Sequence, residues 1–110
     1  MYQYSAVLLR VIDGDTMHFA VNLGCEITLR AKIRVLGINA PELSTTEGQS
    51  AKAWAQQWFT AHAPTGLVTL TTVKDHTEKY GRYLGTITAG DGAVFNDDIL
   101  AAHMAIPYNP

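Results

Sequence analysis

Residues 26–38 read as one long strand that alternates from Glu26 to Val35. Ile27, Leu29, Ala31, Ile33 and Val35 fall on one side, and Glu26, Thr28, Arg30, Lys32 and Arg34 on the other. A period of two over that length describes a half-buried β-strand. Such a strand is stable only when neighbours pair with it and its apolar face is covered. The neighbours are readable. Residues 2–12 form a first strand, Asp13-Gly14 is a tight-turn signal, and residues 15–22 alternate again with Asp15, Met17, Phe19 and Val21 on one face. That places the Asp15 carboxylate at the end of an apolar row, on a sheet rim. Asn22-Leu23-Gly24 is expected to turn the chain into the third strand. Residues 67–74 and 83–89, β-branched and apolar, are the fourth and fifth strands, joined by a charged connection from Asp75 to Arg82.

One segment changes period. Ala51, Trp54, Ala55, Trp58 and Phe59 recur at helical spacing, an apolar stripe that buries both tryptophans. Thr46 with Gln49, or Ser44 with Glu47, can form a capping box before it, and Ala63-Pro64-Thr65-Gly66 ends it. Gly90-Asp91-Gly92 turns the chain into Ala93-Val94-Phe95. Asn96 is then the expected cap of a short final helix, with Asp97 and Asp98 at the favourable end of its dipole. The prediction is a mainly β, α+β chain: a five-stranded Greek-key barrel of the OB type, with one helix after strand three and a short C-terminal helix. A single domain over residues 1–110 has the length to bury its own core.

A hydrophobic fraction of 47% against 16% charged excludes a disordered chain. A net charge of −2 argues against a nonspecific nucleic-acid coat, because phosphate neutralisation demands a strong positive balance. Any nucleic-acid contact should be local. Cys25 has no cysteine to pair with and is expected as a small buried apolar group. The N-terminal residues lack a basic region followed by an apolar run, and no stretch is apolar enough for a membrane span. A cytoplasmic monomer without membrane contact is the default expectation. His18, His62, His76 and His103 show no paired zinc spacing.

Three islands carry the chemistry: Asp13-Gly14-Asp15-Thr16, Arg34 with Asn39-Ala40-Pro41-Glu42, and Glu78-Lys79-Tyr80-Gly81-Arg82. Phosphodiester hydrolysis needs the transition-state charge neutralised and a water aimed. A hard cation on oxygen ligands does part of this, and arginine forks grip phosphate oxygens in pairs. In this order the islands, with Ile33-Arg34-Val35-Leu36-Gly37-Ile38 and Tyr83-Leu84 around them, resemble the staphylococcal nuclease (thermonuclease-like) family over nearly the whole chain.

The resemblance implies an OB-fold, calcium-dependent nuclease acting on DNA and/or RNA, with one Ca²⁺ ion and Mg²⁺ or Mn²⁺ as alternatives. It implies Asp15, Asn39 and the Ala40 carbonyl as metal ligands. Arg34 and Arg82 are implied as the phosphate clamp, and Glu42 as the residue that orients or deprotonates water. Lys79, Tyr80 and Tyr108 are implied in nucleotide binding, with Asp13 close behind the metal. Asn39 departs from the pattern, standing where a ligand aspartate is expected. It either weakens metal binding in a working enzyme or marks a non-catalytic OB module that binds single-stranded nucleic acid or a protein. Such a module would use exposed aromatics, with Tyr2, Tyr4, Tyr80, Tyr83 and Tyr108 as candidates.

Overall fold

The first three strands form two successive antiparallel hairpins, and the last two long strands close them into a tube. A computed structural model describes residues 2–77 and 83–108. Its strands are β1 (Tyr2–Asp13), β2 (Thr16–Gly24), β3 (Ile27–Val35), β4 (Ile38–Asn39), β5 (Leu67–Thr77), β6 (Tyr83–Ala89) and β7 (Ile106–Pro107). The helices are α1 (Thr46–His62) and α2 (Phe95–Ala101). The order β1-β2-β3-β6-β5 closes on itself, because β1 pairs with both β2 and β5. A closed sheet leaves no unpaired edge, which suits strands this rich in apolar residues. The expected five-stranded barrel with two helices is the observed fold. β4 and β7 add a small antiparallel ladder outside it, pairing Ile38 with Pro107 and Asn39 with Ile106.

The alternation in β3 is realised only in its middle: Ile27 and Leu29 are exposed, Arg34 is buried, and the strand ends at Val35 instead of running to residue 38. Ala31, Ile33 and Val35 are buried, and Arg30 and Lys32 are exposed. Met17, Phe19, Leu70 and Ile87 fill the barrel from other strands. On α1, Ala51, Ala55, Trp58 and Phe59 are buried, with Trp54 partly buried against the same core. Trp58 meets Phe59 and Phe95 edge-on at ring separations of 5.1 and 5.2 Å, which ties the two helices together.

Several local expectations are corrected. The α1 cap is Thr45, whose hydroxyl accepts the Gly48 N–H at 2.9 Å, and neither capping box forms the helix start. β2 runs on to Gly24, so the hairpin turn falls at Cys25-Glu26, both with positive φ of 51° and 64°. Cys25 is therefore exposed at a hairpin tip, not buried. Val94, not Asn96, precedes α2 as its cap. Asn96 lies inside the helix and is buried, accepting from Ile87 N–H at 3.1 Å and donating to Leu36 O at 2.8 Å. Asp97 and Asp98 occupy the first turn of α2 as expected, and Asp98 also accepts the Trp58 indole N–H at 2.8 Å.

Candidate active site

Asp15 ends the β1–β2 turn, and Gly14 lets that turn lie flat against the rest of the molecule. A Cβ at position 14 would stand 2.9 Å from both the Ala40 and the Ala51 Cβ atoms. The close approach brings Asp15 under the 39–42 loop. Its Oδ2 accepts the Ala40 N–H at 3.0 Å, and its Oδ1 accepts the Thr16 hydroxyl at 3.1 Å. The Asp15 backbone carbonyl accepts the Val35 N–H at 2.8 Å, which locks the turn to the end of β3.

Arg34 stands on the rung opposite Thr16 and is as deeply buried as Asp15, each 8% exposed. Its Nη1 lies 3.2 Å from Asp15 Oδ2 and donates to the Val35 carbonyl at 3.4 Å. Its Nη2 donates to Asn39 Oδ1 at 3.1 Å. One guanidinium thus spans a carboxylate and an amide oxygen from two different loops. A buried charge pair of this kind is held by its geometry and its additional hydrogen bonds, since desolvation offsets much of the Coulomb gain. Of the five N–H donors on a guanidinium, one on Nη2 and the Nε–H remain uncommitted among the described residues.

Asp13 adds a second acid. Its Oδ1 accepts the Asp15 N–H at 3.0 Å. Burial, then the hydrogen bond and negative charge of Asp15, push its carboxyl up from 3.8 to about 6. Among the described residues no three His, Cys, Asp or Glu side chains cluster as a metal-binding group.

Glu42 is exposed, and its backbone is held by α1. Its carbonyl accepts the Thr45 N–H at 3.0 Å and the Thr45 hydroxyl at 2.7 Å, and a Cβ on Gly48 would overlap it. Glu42 is two residues on from Ala40, so its Cα falls within about 7 Å of the Ala40 Cα. Tyr108 is pinned by its N–H to Gly37 O at 2.9 Å, with its ring centroid 5.9 Å from Arg34 Cζ. Beside Asn39 and Ala40, a cleft of about 180 Å³ opens toward His103 and Ile106. Lys79, Tyr80 and Arg82 lie outside the described residues. The described part of β6 begins at Tyr83, registered against Ile33.

Asp15, Arg34, Asn39, Ala40 and Tyr108 are thus gathered at one place. The sequence reading missed Gly48 and Thr45. A glycine in the first turn of a helix otherwise rich in good helix formers is the signal that could have found them.

A family profile described as "Staphylococcal nuclease homologue" matches residues 32–109, from Lys32 through the 39–42 loop to the residue after Tyr108. The chain belongs to this family. The staphylococcal nuclease match covers more than half of the chain and begins after the Asp13–Thr16 turn. Among curated proteins the chain is similar to "Endonuclease YhcR" of Bacillus subtilis (strain 168), with 26% identity over 114 residues. That alignment takes in 96% of this chain and 9% of the relative, so the chain spans about a tenth of the length of the protein it matches.

Proposed function

We propose that this domain hydrolyses phosphodiester bonds in DNA or RNA with the help of a divalent cation, Ca²⁺ first, with Mg²⁺ or Mn²⁺ as alternatives. The observation that carries the reading is the convergence of Asp15 Oδ2 and Asn39 Oδ1 on the two terminal nitrogens of Arg34. Membership of a nuclease family and similarity to an endonuclease point the same way. The donor chemistry fits a hard cation. Both groups offer oxygen, the ligand atom a hard cation takes. Asp15, Asn39 and the Ala40 carbonyl would hold the ion, which when bound supplies charge neutralisation at the phosphate and acidifies water.

The chain's own residues supply the rest. Arg34 presents its two uncommitted donors to phosphate oxygens, in a guanidinium already oriented by Asp15 and Asn39. Glu42 offers an exposed carboxylate to orient or deprotonate the attacking water, on a backbone held by Thr45. Arg82 would complete the clamp, and Lys79, Tyr80 and Tyr108 would hold the nucleotide.

Digestion of plasmid, single-stranded DNA and RNA, each with Ca²⁺, Mg²⁺ or chelator, tests the reading. Cleavage that chelator abolishes is expected, and Arg34→Ala should slow it by about 10³-fold, the scale of an arginine that stabilises a phosphoryl transition state. A second reading, a non-catalytic nucleic-acid module, is favoured by the neutral Asn39 and by Arg34 standing between the two ligands. Oligonucleotide binding without cleavage under any cation would decide for it.

A further inference from the structure

The outer face of β1, β2 and β3 carries cations beyond Arg34 that the site above does not use. Register puts Arg10 opposite His18 and His18 opposite Lys32, one rung crossing three strands. Arg30 lies two residues before Lys32 on the same face of β3, and Arg34 two residues after it. Same-face neighbours along a strand are about 6.8 Å apart and adjacent strands about 4.8 Å, so these side chains form one contiguous stripe. Arg10, Arg30, Lys32 and Arg34 are four of the chain's eight Lys and Arg residues, gathered on one face of a protein whose net charge is −2. Arg10, Arg30 and Lys32 are exposed and have no ion pair among the described residues. No Asp or Glu occurs within residues 2–12, Thr16–Gly24 or Ile27–Val35.

Like charges this close repel one another and cost stability unless an anion answers them. We infer that the stripe is a docking track for the backbone of a single-stranded nucleic acid, delivering successive phosphates toward Arg34. The inference rests on the nucleic-acid reading above and adds the path of the strand to it. Two features favour a polynucleotide over another polyanion. Arg30, Lys32 and Arg34 follow one another along β3, with Arg10 two strands to the side across His18, and the β3 row runs into a guanidinium held among candidate metal ligands. A membrane-binding face would instead combine its cations with a broad apolar surface.

The test is fluorescence anisotropy of a labelled single-stranded oligonucleotide of about a dozen nucleotides, in chelator, across a salt series. Each phosphate contact on a single strand contributes about 0.7 to the slope of log affinity against log salt. The triple variant Arg10→Gln/Arg30→Gln/Lys32→Gln should therefore flatten the slope by about 2 and weaken binding at least about tenfold at about 50 mM salt. Lys52→Gln, on α1, should leave the slope as it is. Circular dichroism verifies that the triple variant is folded, and Lys32→Glu alone, which should weaken binding further than Lys32→Gln, provides a second handle.

An unchanged slope in the triple variant overturns the inference. So do equal losses in Lys52→Gln, no binding by the unaltered chain at low salt, or retention on phosphatidylserine vesicles without oligonucleotide binding. Binding with the expected slopes but no cleavage would leave the track standing and remove the hydrolytic reading. Cleavage with an unchanged slope would do the reverse.

Discussion

An amide oxygen at position 39 can face a cation as a carboxylate oxygen does, but it brings no charge, and ligand charge is a main determinant of Ca²⁺ affinity. Asn39→Asp should therefore raise Ca²⁺ affinity by about an order of magnitude in calorimetric titration. Equal affinity in the two proteins would remove residue 39 from the metal site. Asp13 makes a different prediction because its carboxyl titrates near 6 in the folded protein, against an ordinary value of 3.8. A pKa raised by folding means that the folded state holds the proton more tightly. The stabilisation is complete below pH 3.8 and is lost as pH rises toward 6. Asn at this position keeps an oxygen for the Asp15 N–H and never ionises. Urea denaturation from pH 4 to pH 7 should show Asp13→Asn gaining stability relative to the parent chain as pH rises. A constant difference across that window would mean that neither burial nor Asp15 raises the Asp13 carboxyl.

At the scale of elements, the start of α1 sets where Glu42 stands. Thr45 bonds both to Gly48 N–H and to the Glu42 carbonyl, and Gly48 leaves the room in which that carbonyl lies. Gly48→Ala gains helix propensity, by up to about 1 kcal/mol, yet its methyl group must push the Glu42 backbone aside. A folded variant with turnover reduced about a hundredfold is expected, the scale of loss for a misplacement near 1 Å. Stopped assays and thermal melts together check this, and full turnover would take the placement of Glu42 out of the mechanism. This element also shows where sequence reading stops. The stripe from Ala51 to Phe59 announces α1 because burial has a period, whereas the cap depends on the direction from which the loop arrives. Ser44, Thr45 and Thr46 all offer a hydroxyl, and only the loop's path selects Thr45. Cys25 departs from expectation for a related reason, since its small apolar character speaks for burial while the extended length of β2 carries it to a hairpin tip.

At the scale of the whole molecule, closure of the barrel and assembly of the site share one seam. The inward residues of β1, β2 and β3 were legible because alternation marks them, and the ligand residues because short motifs carry them. The seam was not, because pairing between strands distant in sequence leaves no local period. Among the described residues β3 and β6 run parallel for three register pairs, Ile33 with Tyr83, Arg34 with Leu84 and Val35 with Gly85, and Arg34 lies in the middle of them. Asn96 buttresses that short joint from α2. It accepts from Ile87 N–H and donates to Leu36 O and Gly85 O, at 3.1, 2.8 and 3.3 Å. Asn96→Ala strands buried polar groups on both sides of the seam and should cost about 3 kcal/mol, a fall in Tm of about 15 °C for a chain of this size. Asn96→Asp separates hydrogen bonding from mere volume. It keeps the acceptor for Ile87 but turns an oxygen toward two carbonyls and adds a charge to a buried position, so it should be at least as damaging as Ala. Calorimetric melts of both variants decide the matter. If Asp at this position is tolerated, the seam is held by packing alone, and the position of Arg34 does not depend on α2.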